Sequence, residues 1–245
     1  MNTDFYFSIC VHLCPIIFEE SLAGNAIMQL YEIRQCEAVA CHFRFPVAVG
    51  DPAGVRCPHC GEPTALAATP QITETPFPQF APRFTQLELL LDNIRSLYNV
   101  GAIMRTADGA GVKHLHLGGI TAPPTHPKLA KTALGAEGAL PWTQHRNSVH
   151  AAQELKAAGY EIWVLEEGET PALSDAEVAI NLFTVTLPDN ANQPILLVIG
   201  NEKVGVDPAI QQMADCTFAL PMSGVKNSLN VAVAFGIAIY QIQFG

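Results

Sequence analysis

From residue 86 to the C-terminus, short apolar runs alternate with helix-like stretches, and this alternation limits the fold more than any other feature. "QLELLLDNI" (86–94), "HLHLGG" (114–119), "YEIWVLEE" (160–167), "PILLVIGNE" (194–202) and "CTFALPM" (216–222) have the length and composition of strands. Between them, "NVGAIMRTADGAGV" (99–112) predicts a helix that ends at Gly111. "HPKLAKTALGA", "VHAAQELKAAG" and "PAIQQMA" predict further helices, and "LNVAVAFGIAIYQI" predicts the last. Strand and helix in alternation imply an α/β fold, a parallel sheet covered by helices. In such sheets ligands bind beyond the carboxyl ends of the strands.

Three loops at those ends are rich in Gly, Asn and Ser: "DNIRSLYNVGAIMRTADGAGV", "IGNEKVGVDP" and "LPMSGVKNSLNVAVA". They are expected to converge on one edge of the sheet. None is G-x-G-x-x-G or G-x-x-x-x-G-K-[ST], so dinucleotide and phosphate-loop readings lose their main support. No Ser/His/Asp or H-E-x-x-H pattern is present, and the eight histidines are scattered. In "NSLNVAVAFGIAIYQ" two polar residues open an apolar helix: Ser228 is placed to cap it and Asn230 to face a pocket.

Taken together, the loops resemble the three motifs of the SpoU (TrmH) family of RNA ribose 2′-O-methyltransferases, of the SPOUT class. Asn99–Asp108 resembles N-x-G-x-x-x-R-T-A-D, Gly200–Gly205 resembles G-N-E-x-x-G, and Pro221–Ala234 resembles P-M-x-G-x-x-x-S-L-N-V-A-V-A. The resemblance spans residues 86–245 and implies a SPOUT domain over 85–245 with a C-terminal trefoil knot. It implies S-adenosylmethionine framed by Gly200, Leu220, Met222 and Leu229, a tRNA or rRNA substrate, and a homodimer with its active site near the subunit interface. The catalytic set it implies is Asn99, Arg105, Glu202, Ser228 and Asn230. Arg105 would stabilise negative charge developing on the 2′-oxygen, Asn99 would position Arg105 or the substrate, and Glu202 would hold the loops together or pair with Arg105. Singly, each has a plainer reading: Ser228 and Asn230 as caps, Asn99 as the cap of its helix, Arg105 paired with Asp108. Two other functions stay open: a catalytically silent RNA-binding protein on the same scaffold, and a methyltransferase of another acceptor. Lys203 and Lys226 lie in two of the loops, within reach of RNA phosphate. "EEGE" (166–169) reads as a solvated turn.

Upstream, Cys36, Cys41, Cys57 and Cys60 are spaced C-x4-C, fifteen residues, C-x2-C, which suits a structural tetrahedral zinc site. His42 and His59 are substitute ligands. "FRFPVAVGDPAGV" predicts two short strands around a turn. Residues 29–68 thus form a small zinc-ribbon-like β module, with Arg34, Arg44 and Arg56 as RNA contacts or as solvated charge. A Pro-rich linker (69–84) follows it. Residues 1–28 read as an extra N-terminal segment, with 1–27 appended or mis-started ahead of "MQLYEIRQC" at Met28. Its apolar run is too short to span a bilayer, so no membrane partner is expected. Seven cysteines, an odd number without a disulfide framework, fit a reducing, cytoplasmic setting. A formal net charge of −10 argues against a general nucleic-acid coat and leaves room for a local basic site.

Overall fold

A computed structural model describes residues 30–70, 80–129, 138, 140–166 and 179–245. The chain divides into two compact units, Met1–Phe77 and Pro78–Gly245.

In the first unit, β1 (Tyr31–Cys36) pairs antiparallel with β2 (Arg44–Ala48) on one side and β3 (Thr64–Ala68) on the other. Only one of the two strands expected in "FRFPVAVGDPAGV" forms. After Asp51 caps a short 3-10 turn at Pro52–Gly54, the chain returns through a single bridge between Arg56 and Pro63. β2 ends at Ala48, where the chain turns through Gly50 at φ +83°, and Pro52 suits the start of the 3-10 turn that follows.

The second unit holds a seven-stranded sheet. Its strands are β4 (Leu87–Asp92), β5 (Leu115–Gly118), β6 (Trp142–His145), β7 (Glu161–Leu165), β8 (Ile180–Asn181), β9 (Ile195–Ile199) and β10 (Cys216–Ala219). They lie in the order β6-β5-β4-β9-β7-β10-β8, and every pairing is parallel. β9 is buried along its whole length, as a central parallel strand covered on both faces must be. Leu87, Leu89 and Leu91 of β4 point into one core cluster, and Leu90 joins the other with Ile162, Val164 and Val198.

Helices α1 (Leu97–Gly109) and α4 (Val231–Phe244) cover the first cluster; α2 (Ser148–Ala157) and α3 (Pro208–Gln211) cover the second. α1 buries Val100, Ile103, Met104 and Ala107, three to four residues apart, as a one-faced helix requires. α1 and α4 pack against each other: a Cβ at Gly109 would lie 3.3 Å from the Tyr240 hydroxyl, and one at Gly236 would lie in ordinary contact, 3.8 Å from Thr106. Phe84, assigned from sequence to the linker, is fully buried against Trp163, with ring centroids 5.4 Å apart. Its amide donates to Gln243 Oε1 at 2.9 Å, which anchors the start of the domain to its last helix.

β6 and β8 are edge strands that the sequence did not announce. The helix expected over "HPKLAKTALGA" and the segment 1–28 lie largely outside the described residues. Among the described residues no helix is long and apolar enough to cross a membrane.

Candidate functional site

The sheet reverses its direction of growth around β9. β5 and β6 are laid down on one side of β4, β7 and β10 on the far side of β9. At that reversal the carboxyl ends diverge, and a cavity of about 810 Å³ opens there, within the size range of small-molecule sites. All three Gly/Asn/Ser-rich loops line it. Asn99, Glu202, Ser228 and Asn230 are on its wall, as are Gly200, Leu220, Met222 and Leu229.

One chain of hydrogen bonds ties the three loops together. The Glu202 carboxylate accepts from the amides of Arg95 (3.0 Å) and Ser96 (2.9 Å) and from Asn99 Nδ2 (2.9 Å). Asn99 Oδ1 accepts from Asn230 Nδ2 at 3.0 Å. Asn230 Oδ1 in turn accepts from the amides of Ala232 (2.9 Å) and Val233 (3.4 Å) and so caps α4. Burial alone would raise the pKa of Glu202, but the N–H groups of Arg95 and Ser96, together with Asn99, hold its carboxyl below the usual range. An ionised carboxylate is therefore the hub of the site, held by neutral donors and in no ion pair among the described residues.

Several sequence expectations change here. Asn230, not Ser228, caps the last helix; Ser228 lines the cavity and forms no hydrogen bond among the described residues. Ser96, not Asn99, caps α1, accepting from the Asn99 amide at 3.4 Å. Asn99 is thereby free to bridge Glu202 and Asn230. Glu202 does not pair with Arg105. Six residues past Asn99, Arg105 is turned about 120° around α1. It is exposed, does not line the cavity, and has no hydrogen bond or ion pair among the described residues, with Asp108 or any other group.

The turn between β9 and α3 is held tightly. Asn201 and Gly205 exchange both backbone hydrogen bonds at 2.9 Å, and Asn201 Nδ2 donates to the Asn93 carbonyl at 2.7 Å. Gly205 takes φ +74°, and a Cβ at Gly200 would come well under 3.0 Å from the Gly205 carbonyl and the Val206 nitrogen. Both glycines are therefore required by the backbone itself.

Two charged residues on the wall were missed from sequence. Glu166, read as part of a solvated turn, accepts from the Val206 amide (2.6 Å) and from Gln211 Nε2 (2.9 Å). Its position at the carboxyl end of β7 was the signal that pointed to it. Arg95 lies at the mouth, beside Ser96.

In the first unit the sulfurs of Cys36, Cys41, Cys57 and Cys60 all lie within 4.8 Å of one another, with Cys36–Cys60 at 3.4 Å and Cys41–Cys57 at 3.8 Å. Four thiolates about 2.3 Å from one zinc ion would sit about 3.8 Å apart, so the group fits a tetrahedral metal. Burial opposes ionisation of Cys57, but the backbone N–H groups of Cys60 and His59 hold its thiol down to about 7. His42 and His59 stay outside this group of four; His59 Nδ1 lies 3.6 Å from Cys41 Sγ.

Comparison with known proteins places this geometry. Residues 86–240 match the model of the SpoU rRNA Methylase family. The tRNA (guanosine(18)-2′-O)-methyltransferase of Aquifex aeolicus (strain VF5) is 33% identical over 171 residues, 66% of this chain and 70% of that protein. The putative TrmH family tRNA/rRNA methyltransferase YacO of Bacillus subtilis (strain 168) is 30% identical over 154 residues, and this chain covers only 57% of its length. Among solved structures, the SpoU methyltransferase AviRb from Streptomyces viridochromogenes in complex with the cofactor AdoMet superposes with a TM-score of 0.53 at 26% identity, over 75% of this chain and 68% of AviRb.

Proposed function

We propose, since this chain belongs to the SpoU rRNA Methylase family, that it transfers a methyl group from S-adenosylmethionine to a ribose 2′-hydroxyl of tRNA or rRNA. The observation that carries this reading is the convergence of the three motif loops on one cavity, joined through Glu202, Asn99 and Asn230. The cavity fits the cofactor in size and in character: apolar Leu220, Met222 and Leu229 face polar backbone at Gly200 and Asn201. These residues, with Ala234 at the start of α4, would hold it. S-adenosylmethionine supplies an electrophilic methyl group when bound.

The protein's own residues do the rest. The Glu202–Asn99–Asn230 chain fixes the walls, so that the acceptor hydroxyl meets a preformed site and little orientation remains to be ordered in the reaction. Arg105 does not line the cavity of its own chain, so it acts on charge from the subunit interface argued below: a guanidinium brought near the 2′-oxygen there stabilises the anion that forms as the hydroxyl loses its proton. Service as the base would first require loss of a proton against a pKa above about 12, so charge stabilisation is the assigned role.

The placement of Arg105 supports a homodimer. It shares the outer face of α1 with Tyr98, and the adjoining face of α4 exposes Val233, Ile237, Tyr240 and Phe244 at helical spacing. A partner covering that stripe would bring Arg105 to a subunit interface. The return of the chain from β10 across the ends of β7 and β9, to lay α4 on α1, supports the trefoil knot. The four cysteines are assigned a structural zinc ion, with no position open for substrate.

The test is methyl transfer from labelled S-adenosylmethionine to total tRNA and rRNA, by wild type and Arg105→Ala. Label in alkali-resistant dinucleotides, lost in the variant, is expected. Cofactor binding without any labelled RNA would overturn the reading in favour of a binding-only protein or another acceptor.

A further inference from the structure

Four charged side chains line the cavity, and they are not in the same state. Both carboxylates are already satisfied by neutral donors: Glu202 by two amides and Asn99, Glu166 by the Val206 amide and Gln211. Both cations are uncommitted. Neither the Arg95 guanidinium nor the Lys203 ammonium has a hydrogen bond or ion pair among the described residues, and both are exposed.

The backbone that carries Arg95 is fixed. Asn93 N donates to the Gly118 carbonyl at 3.3 Å, Ile94 N to Thr121 Oγ1 at 2.9 Å, and the amides of Arg95 and Ser96 to Glu202. Asn93 holds φ 58°, a sparsely populated conformation kept in place by these bonds and by Asn201 on its carbonyl. Thus every backbone amide from Asn93 to Ser96 is engaged, and the guanidinium, the one charged group of this stretch, is without a partner among the described residues. A cation on rigid backbone, at the mouth of a cavity whose carboxylates need nothing from it, is set up for an anion from outside.

Resting on the function proposed above, we propose that Arg95 is a positioning residue for RNA: its guanidinium binds a phosphate beside the acceptor nucleotide and sets the register of that nucleotide over the cavity. The planar fork of Arg matches two phosphate oxygens at once. The chain as a whole carries net charge −10 and repels RNA, so local cations at the mouth must supply the attraction. Lys203, in the adjoining turn, adds a second point charge. The cofactor's carboxylate is the competing anion. The exposed position of Arg95 at the rim, in contrast to the apolar wall formed by Leu220 and Leu229, favours the phosphate.

The experiment uses the full chain as wild type, Arg95→Ala and Arg95→Lys. Substitution leaves the Arg95 amide bond to Glu202 in place, so the loop keeps its anchor. S-adenosylmethionine affinity is measured by calorimetry, RNA affinity by filter binding from about 50 to 200 mM salt, and kcat and KM by methyl transfer. Arg95→Ala is expected to raise the RNA KM and Kd about tenfold, to flatten the slope of log K against log salt by about 0.7, and to leave cofactor affinity unchanged. Arg95→Lys is expected to restore the salt slope but only part of the affinity. Unchanged RNA affinity and salt slope in Arg95→Ala, beside an active wild type, would overturn the proposal. So would weakened cofactor binding with RNA affinity intact, which assigns Arg95 to the cofactor's carboxylate. A wild type that binds cofactor but transfers to no RNA overturns the functional reading itself, and this inference with it.

Discussion

Replacing Gly200 with alanine tests whether the cavity wall is as rigid as its geometry implies. The added Cβ would come well under 3.0 Å from the Gly205 carbonyl carbon and oxygen and the Val206 nitrogen, all backbone atoms that cannot rotate away. Relief needs a displacement of about 1 Å, which takes a 2.9 Å hydrogen bond out of its working range. The Asn201–Gly205 pair, both bonds at 2.9 Å, is the first to go. Two such bonds are worth about 1 kcal/mol each, and overpacking strain of about 1–3 kcal/mol acts on the same turn. The expected loss is about 3–5 kcal/mol, against a total stability of about 5–15 kcal/mol for an ordinary domain, so the variant folds. The cavity wall at Gly200 is displaced, and on the function proposed above S-adenosylmethionine affinity should fall at least about tenfold. Urea denaturation measures the first effect and calorimetric titration the second. Gly224→Ala is the control, because a Cβ there meets nothing within 4 Å. A Gly200→Ala variant within about 0.5 kcal/mol of wild type, with unchanged cofactor affinity, would refute the reasoning.

Two further outcomes follow from the same geometry. Purified protein should carry one zinc per chain by elemental analysis, and Cys57→Ser or a strong chelator should unfold the 31–68 sheet; metal-free protein with the same far-ultraviolet spectrum would refute the zinc assignment. The second unit should lose stability on acidification. Burial first, and the neighbouring His116 second, hold His114 and His145 below the usual 6.5; Glu88 is held below its usual 4.5 because hydrogen bonds from His116 and Tyr160 outweigh its burial. A lowered histidine contributes stability that is fully present above its unfolded value and lost as pH falls through its folded one. Urea midpoints should therefore fall from about pH 6.5 downward, with the Glu88 share lost below about pH 4.5. Midpoints that stay level or rise over that range would contradict the assignment.

Much of this molecule is legible because its physics is local. A buried parallel strand such as "ILLVI" declares itself by apolar content, and the loop after it declares itself by glycines that the close approach at Gly200 and the positive φ at Gly205 demand. The four cysteines are legible as a group because two close pairs at that spacing can bring four sulfurs together, as they do here within 4.8 Å. What stays hidden depends on partners distant in sequence. "WTQH" has no apolar run, and becomes β6 only because β5 offers it an edge. Phe84 follows a Pro-rich stretch, yet it is buried by Trp163 and Gln243, residues far along the chain. Glu166 is hydrophilic in a hydrophilic run, and only the register of β7 brings it to the cavity. Choosing between Ser228 and Asn230 as the cap was a matter of two residues, a margin that helix ends do not reveal in sequence. Arg105 was identified by its motif, but its outward direction emerges only from which face of α1 the core claims.

The most direct test is the identity of the methylated nucleoside. RNA labelled by the wild-type protein with methyl-labelled S-adenosylmethionine is digested to nucleosides and separated by chromatography with mass detection. Label is expected in a 2′-O-methylribonucleoside, resistant to alkali as the intact dinucleotide, with none in Arg105→Ala. Label on a base, or on protein, would contradict the proposed function.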